Sequence, residues 1–299
     1  MIFHRLPYAI LPLLACGPAI FGTQNPADDA RLPQSLPDVI DLVRPTVVRI
    51  KKVCEYRAGA QTFEEVSGGT GLWVSDRGFI LTAAHVISAC SKGAQRGPGA
   101  LKAESYYVGL TLGHTATDQS DTRENFRFID AEIIEADFIH DVALVRSRLN
   151  PFQERIPSGF TLNRIGLELP RPKIAKLSVR RVREGEAIAI SGYPLNQSVF
   201  DTNAGIVASI HSDRDILFPP QSSGVETVQV RLQFDVYEAD MSVNPGNSGG
   251  PVYYVSSGEV VGICSAYRTS QVGTTSSNSG LAVIVPITFG GALMSKHGL

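Results

Sequence analysis

The sequence has no surplus of charge of either sign. Its 299 residues carry 27 Lys and Arg against 29 Asp and Glu, a net charge of −2. That balance excludes a globally basic protein built to bind nucleic acid. No internal run approaches the roughly 20 apolar residues that a membrane-spanning helix needs. There is no internal repeat, and no histidine, cysteine or carboxylate cluster with metal-ligand spacing, so no metal site is expected. Cysteine is scarce: Cys16 stands near the start, and Cys54, Cys90 and Cys264 leave an odd number for the rest. What is present is 43% hydrophobic and 19% charged, too apolar and too balanced for a disordered chain. Twenty-eight glycines and eighteen prolines favour many tight turns over long helices. The length suits one large domain or two small ones.

The first residues read as an address. Leu6 to Gly22 is uncharged and follows Arg5, but Pro7, Pro12 and Pro18 break the run. A secretory signal fits it better than a permanent membrane helix, so the mature protein is expected to be exported, periplasmic or secreted. Two processing routes remain open. Leu13-Leu14-Ala15-Cys16 is similar to the lipobox of bacterial lipoproteins, in which residues 1–15 are removed and a lipidated Cys16 attaches the protein to a membrane. The alternative is a signal of residues 1–22, cleaved near Gly22, with Cys16 discarded. Residues 23–34, polar and Pro-rich, then form a linker.

A domain is expected over residues 35–290, with 291–299 as a C-terminal tail. Ser35-Leu36-Pro37-Asp38 opens a short helix, with Ser35 as cap, Pro37 in the first turn and Asp38 near the positive end of the dipole. The helix stops before Pro45. Short apolar runs separated by turn residues follow in two batches. The first comprises Val47–Val53, Gly71–Ser75, Phe79–Thr82, Tyr106–Leu110, Ile129–Glu135 and Val142–Arg146. The second comprises Ala187–Gly192, Gly205–Ile210, Val225–Phe234, Pro251–Tyr254, Val260–Ser265 and Leu281–Val285. Such batches predict an all-β chain of two antiparallel barrels or sandwiches, about 45–148 and 186–287. Arg148 to Glu186 connects them. Its Arg171, Lys173, Lys176, Arg180, Arg181 and Arg183 form a run with no acid within it, which reads as a solvated connector, the alternative being a surface for an anionic membrane or partner.

Three places carry chemistry. Gly246-Asn247-Ser248-Gly249-Gly250-Pro251 sets a serine among glycines, which permit close backbone approach. The turn at Gly246, Asn247 and Ser248 can also aim N–H groups at a developing oxyanion. The string also fits the G-x-S-x-G elbow of α/β-hydrolases, or a plain glycine-rich turn. An elbow precedes a helix and its partners follow the serine. Here Pro251 to Val255 reads as a strand, and after Ser248 only His297 remains. Upstream, Thr82-Ala83-Ala84-His85 closes one strand with a histidine, and Asp141-Val142-Ala143-Leu144 opens another with a carboxylate. Each alone is a polar residue at a strand end. Together the order His85, Asp141, Ser248 is that of the chymotrypsin arrangement. Ser248 is a weak nucleophile until His85 accepts its proton, and Asp141 fixes the imidazole tautomer and stabilises its cation.

These three strings resemble the signatures of trypsin-like serine proteases, and most closely those of the HtrA-like branch. Ser35 to Ile50 is similar to that branch's helix-then-strand opening. Gly69-Thr70-Gly71-Leu72-Trp73-Val74 is similar to its first-barrel strand, and Gly192-Tyr193-Pro194 to its turn before the second barrel. Asn244 to Ser248 with Gly258 to Ile263 resembles its active-site strand pair, and Gly280 to Ile287 its closing strand. The resemblance implies a chymotrypsin-like all-β fold of two antiparallel six-stranded barrels with short helices. It implies a serine endopeptidase that forms an acyl-enzyme on polypeptide substrates, unfolded or exported proteins among them, with no cofactor, no metal and no nucleic acid. Rival readings on the same fold are a binding or chaperone-like protein with latent activity, and an esterase.

The resemblance also places a primary pocket between Met241 to Asn244, Ser265 to Tyr267 and Gly280. Ser242, Ser265, Ala266, Tyr267 and Gly280 are the substrate-binding candidates. Ser242 stands where trypsin has an aspartate, and a buried cation without a partner is costly, so cleavage after Lys or Arg is disfavoured. Tyr267 makes a shallow pocket suited to a small or aliphatic residue before the scissile bond; Asp240 reaching in is the alternative. Asn247, a neutral amide, stands where zymogen-activated trypsins pair an aspartate with a freshly cut amine, so that activation is not expected. HtrA-like proteases usually carry a PDZ domain after the protease; this sequence continues only to Leu299 beyond Pro286, so none is expected here. Oligomeric state is left unassigned. Ser91 to Arg127 reads as an exposed insertion, and Thr269 to Ser279 as a Ser/Thr-rich loop. Cys54, ending the first strand, and Cys90, behind the helix expected after His85, can pair in an oxidising compartment, leaving Cys264 a buried thiol. His140 and His211 read as polar surface or loop residues.

Overall fold

Each of the twelve apolar runs meets a strand, although residues 225–228 of one lie outside the described residues, and the strands close into two barrels. The structure is a computed structural model that describes residues 35–92, 99–114, 124–154, 171–194, 199–217, 229–272 and 275–299. The leader, the linker and Cys16 lie outside these residues. The first barrel comprises β1 (Val47–Ala58), β2 (Gln61–Trp73), β3 (Phe79–Thr82), β4 (Ala100–His114), β5 (Glu124–Asp137) and β6 (Val142–Ser147). The second comprises β7 (Ala187–Gly192), β8 (Asp201–Leu217), β9 (Gln229–Asp240), β10 (Pro251–Tyr254), β11 (Val260–Val272) and β12 (Thr275–Pro286). Around the first barrel the order is β1-β2-β3-β6-β5-β4, and around the second β7-β8-β9-β12-β11-β10. The two orders are the same, although no repeat is visible in the sequence. Topology is shared where side chains are not.

Each barrel fills its interior with the inward residues of its strands. Ile50, Leu72, Ile80, Leu81 and Leu144 are fully buried in the first, and Ile188, Ile190 and Ile284 in the second. β3 and β10 are buried along their whole length. Tyr193, Tyr253, Ile263 and Val285, on second-barrel strands or the turn leading into them, pack into the same cluster as the first-barrel core. The catalytic candidates therefore sit over a continuous apolar seam between the barrels.

Helix α1 (Leu36–Val43) forms as its sequence predicts. The Ser35 hydroxyl accepts the Asp38 N–H at 3.5 Å, Pro37 lies in the first turn, and Val39 and Val43 turn inward. Its inner face packs on the turn at Gly258, where a Cβ would stand 3.2 Å from Leu42 and 3.3 Å from Val43.

The structure departs from the sequence reading at four places. The tail is largely a second helix, α2 (Ile287–Lys296), with Ile287 and Leu293 buried. The segment read as an exposed insertion is in good part paired: β4 runs from Ala100 and joins both β1 and β5. The Ser/Thr-rich stretch is taken up by the outer ends of β11 and β12. The basic connector is not free of acids. Arg180 and Arg183 both meet Glu186, Lys176 meets Glu259, and Arg181 meets Asp235. Carboxylates distant in sequence from the run, Asp235 and Glu259, are brought to it by the second barrel. Its backbone is tied down as well, with Ala175 N–H bonded to Trp73 O and Ser178 N–H to Val260 O, both 2.8 Å.

Candidate active site

His85 rides on a 3-10 turn, Ala84–Ile87, directly after β3. Its Nδ1 lies 2.9 Å from Asp141 Oδ2 and 3.0 Å from Oδ1, and its backbone N–H donates to Oδ1 at 2.9 Å. With Nδ1 committed to the carboxylate, Nε2 is the ring nitrogen left for a serine. Asp141 is the last residue of the β5–β6 turn and has φ of +54°, the sole non-glycine with positive φ among the described residues. A residue held in the left-handed region is held there by its surroundings. Here that backbone turns the carboxylate under His85.

A fourth side chain joins the pair. Ser265 Oγ donates to Asp141 Oδ2 at 2.5 Å. Sequence reasoning put Ser265 among the substrate-binding candidates, and its hydroxyl points at the carboxylate. The cause is a register shift between Cys264 and Ala266, which re-aims the side chain between them. Burial works to raise the pKa of Asp141. The hydrogen bonds from His85 and Ser265, with the attraction of the imidazole, outweigh it and hold the carboxyl below its ordinary value. Cys264, next door, is pushed up to about 12 by burial and by the charge of Asp141. It is a buried free thiol, whereas Cys54 and Cys90 form a disulfide with Cα atoms 5.8 Å apart.

The serine is brought to His85 by glycine packing. A Cβ on Gly249, whose φ is +83°, would stand 2.2 Å from Thr82 Oγ1 and 2.9 Å from the Ala83 nitrogen. A Cβ on Gly69 would meet both Ser248 O, at 2.7 Å, and Val86. The serine turn thus lies against the strand end that carries His85, at a distance only glycine allows. Among the described residues no hydrogen bond joins Ser248 Oγ to the His85 ring, and such pairs commonly tighten when substrate binds.

The turn sorts its own N–H groups. Asn247 N–H donates to Asn244 O at 3.0 Å, Gly249 N–H to Cys264 O at 2.7 Å and Gly250 N–H to Asn247 O at 2.9 Å. Those of Gly246 and Ser248 donate to nothing among the described residues. Of the three oxyanion candidates, Gly246 and Ser248 keep a free donor, and Asn247 spends its own on the turn. Gly246 has φ of +102°, as the second central residue of a type II turn requires. The Asn247 side chain is 1% exposed, and both its polar atoms lack a hydrogen-bond partner.

The pocket candidates converge less tightly. Met241 N–H bonds Gly280 O at 3.1 Å, which brings the 241–244 segment to the start of the closing strand. Met241 and Val243 are buried, Ser242 is exposed, Ala266 is half-buried and Tyr267 is exposed. Ala266 and Tyr267 pair with Val283 and Ala282. Asp240 is exposed at the end of β9. His140 and His211, read as polar surface or loop residues, both have carboxylate partners: Asp137 at 2.6 Å and Glu238 at 2.9 Å. Neither partnership was visible in sequence, because Glu238 reaches His211 across β8 and β9 and Asp137 through a turn. Among the described residues no group of three or more His, Cys, Asp or Glu could hold a metal.

The profile of the trypsin-like peptidase domain matches residues 69–263. The chain is 24% identical over 264 residues to the serine protease Do-like HtrB of Bacillus subtilis, covering 81% of the chain and 43% of that protein. It is 27% identical over 234 residues to a probable periplasmic serine endoprotease DegP-like of Halomonas elongata, covering 77% and 35%. It is 27% identical over 255 residues to the serine protease HTRA1A of Danio rerio, covering 83% and 40%. The chain thus spans about two fifths of the length of these relatives.

Proposed function

The chain belongs to the trypsin-like peptidase domain family, and from that premise we propose that it is a serine endopeptidase working through His85, Asp141 and Ser248. Ser248 Oγ attacks the scissile carbonyl while His85 Nε2 takes its proton. The N–H groups of Gly246 and Ser248 receive the oxyanion. Collapse expels the amine, which leaves with the proton from His85, and an acyl-enzyme remains on Ser248. Water, deprotonated by His85, releases the acid. Asp141 keeps the imidazole in the tautomer this requires, and Ser265 steadies the carboxylate. No cofactor enters any step.

One observation carries this reading: two unspent N–H groups flank the nucleophile in a turn packed against the strand end that bears a carboxylate-paired histidine. Substrates are exported or unfolded polypeptides with a small or aliphatic residue before the scissile bond. Ser242 in place of a carboxylate, the buried Met241 and Val243, and Tyr267 support that preference. Export is supported by the Cys54–Cys90 disulfide, which persists in oxidising compartments, and by the periplasmic relative. Digestion of unfolded casein tests the assignment. Wild type is expected to cleave it and Ser248→Ala to lose the activity by several orders of magnitude. Equal cleavage by the variant would sink the assignment.

A further inference from the structure

Thr70, on β2 of the first barrel, reaches into the serine turn of the second. It is fully buried, and each of its polar atoms is used. Its N–H donates to Ser248 O at 2.8 Å. Its carbonyl accepts from Thr82 Oγ1 at 2.7 Å. Its hydroxyl lies 2.8 Å from Gly246 O and 3.0 Å from the Tyr193 nitrogen. The Tyr193 N–H can only donate, so the direction of the second bond is forced: the Thr70 proton goes to the Gly246 carbonyl.

The peptide planes of the turn show what this does. The Gly246–Asn247 plane is held at its carbonyl by Thr70 Oγ1 and at its N–H by Asn244 O. The Ser248–Gly249 plane is held at its carbonyl by Thr70 N–H and at its N–H by Cys264 O. Between them lies the plane that carries the free Ser248 N–H, and ahead of them the one that carries the free Gly246 N–H. Glycine at position 246 lets its plane rotate at little cost, so the orientation must be imposed from outside. Close packing sets Thr70 to impose it at the carbonyl, as Asn244 O does at the N–H: a Cβ on Gly192 would stand 2.7 Å from Thr70 Oγ1, and one on Gly249 2.1 Å from Thr70 O.

We propose that Thr70 is a positioning residue for the oxyanion site, its hydroxyl locking the Gly246–Asn247 plane so that the Gly246 and Ser248 N–H groups face the reacting carbonyl. The proposal rests on the reading of Ser248 as nucleophile. It ties three glycine-bearing motifs to one hydroxyl: Gly69-Thr70-Gly71, Gly192-Tyr193-Pro194 and Gly246 to Pro251.

The test compares Thr70→Val, which keeps the shape and removes the hydroxyl, with Thr70→Ser, which keeps the hydroxyl. Each is assayed for kcat and KM on a peptide amide and for the affinity of a peptide aldehyde matched to it, which forms a tetrahedral adduct. Thr70→Val is expected to lose on the order of 10²-fold in kcat, with KM within about twofold and aldehyde affinity falling in proportion. Thr70→Ser is expected to restore kcat to within a few fold of wild type. If Thr70→Val does not fold, judged by its thermal transition, Thr70→Ala takes its place with the same expectation. A kcat close to wild type without the hydroxyl overturns the proposal. So does a loss of kcat that aldehyde affinity does not follow, or a Thr70→Ser variant as impaired as Thr70→Val. An active Ser248→Ala enzyme would instead overturn the underlying reading, so the two failures are distinct.

Discussion

At the scale of single residues, the site is defined by which polar groups are spent and which are kept. Asp141 takes three hydrogen bonds, two from His85 and one from Ser265. A hydrogen bond to a charged group is worth about 1.5–3 kcal/mol, so Ser265→Ala is expected to cut kcat by about tenfold or more. Steady-state kinetics on a peptide amide, with KM little changed, would check it. Cys264, buried and with its thiol raised to about 12, is expected to resist a thiol reagent in the native state and to react fully once unfolded. Rapid native labelling would contradict that burial. Asn247 is buried and its side-chain atoms have no hydrogen-bond partner among the described residues, so Asn247→Asp, which buries a charge there, is expected to lose about 3 kcal/mol in urea unfolding at neutral pH. His85, Asp141 and Ser248 could be picked from the sequence because each sits in a short string whose neighbours are themselves constrained. The role of Ser265 could not, since it depends on a register shift between two strands.

At the scale of elements, the strand cores were readable and the strand ends were not. Val47 to Val53 announces β1 by its apolar residues. Beyond Val53 the apolar pattern thins, yet β1 stays paired with β2 to Ala58 and Gln61 and with β4 to Arg57, over a small cluster of its own: Cys54, Tyr56 and Cys90, with Phe63 and Leu101 packed against them. The disulfide joins that outer ribbon to the segment behind His85. Cys54→Ser with Cys90→Ser is expected to cost about 3–4 kcal/mol in denaturant unfolding, as a loop of this length predicts. Helix α2 was hidden by its own composition, with two glycines in the middle. Gly290 is there because a Cβ would stand 2.7 Å from Leu81. What stabilises the helix is tertiary. Phe289 stacks on His140 with ring centroids 4.1 Å apart, and Lys296 and His297 both bond Glu135. The helix therefore braces the turn that leads into Asp141. Leu293→Ala, which truncates its buried face, is expected to cost about 2–4 kcal/mol by the same measurement.

At the scale of the whole molecule, the near-zero net charge hides local pairing that crosses between segments. Glu186 shows the pattern. Burial works to raise its pKa, yet hydrogen bonds from Arg180 and Arg183 hold it at about 2 against an ordinary 4.5. A carboxylate depressed in the folded state stabilises above its unfolded pKa, and that stabilisation disappears as pH falls through the folded value. The stability gap between wild type and Glu186→Gln is thus expected to be full above about pH 5 and to close towards about pH 2. A gap that persisted at the acid end would contradict the assignment. The same long-range assembly builds the active site, since β3 and β6 belong to the first barrel and the serine turn to the second, and they meet only when both close. The measurement that tests this most directly is labelling by a fluorophosphonate, read by mass spectrometry of the digested protein. The account predicts one adduct, on Ser248, with the rate strongly reduced in His85→Ala. An unlabelled Ser248 in the folded wild-type protein would contradict it.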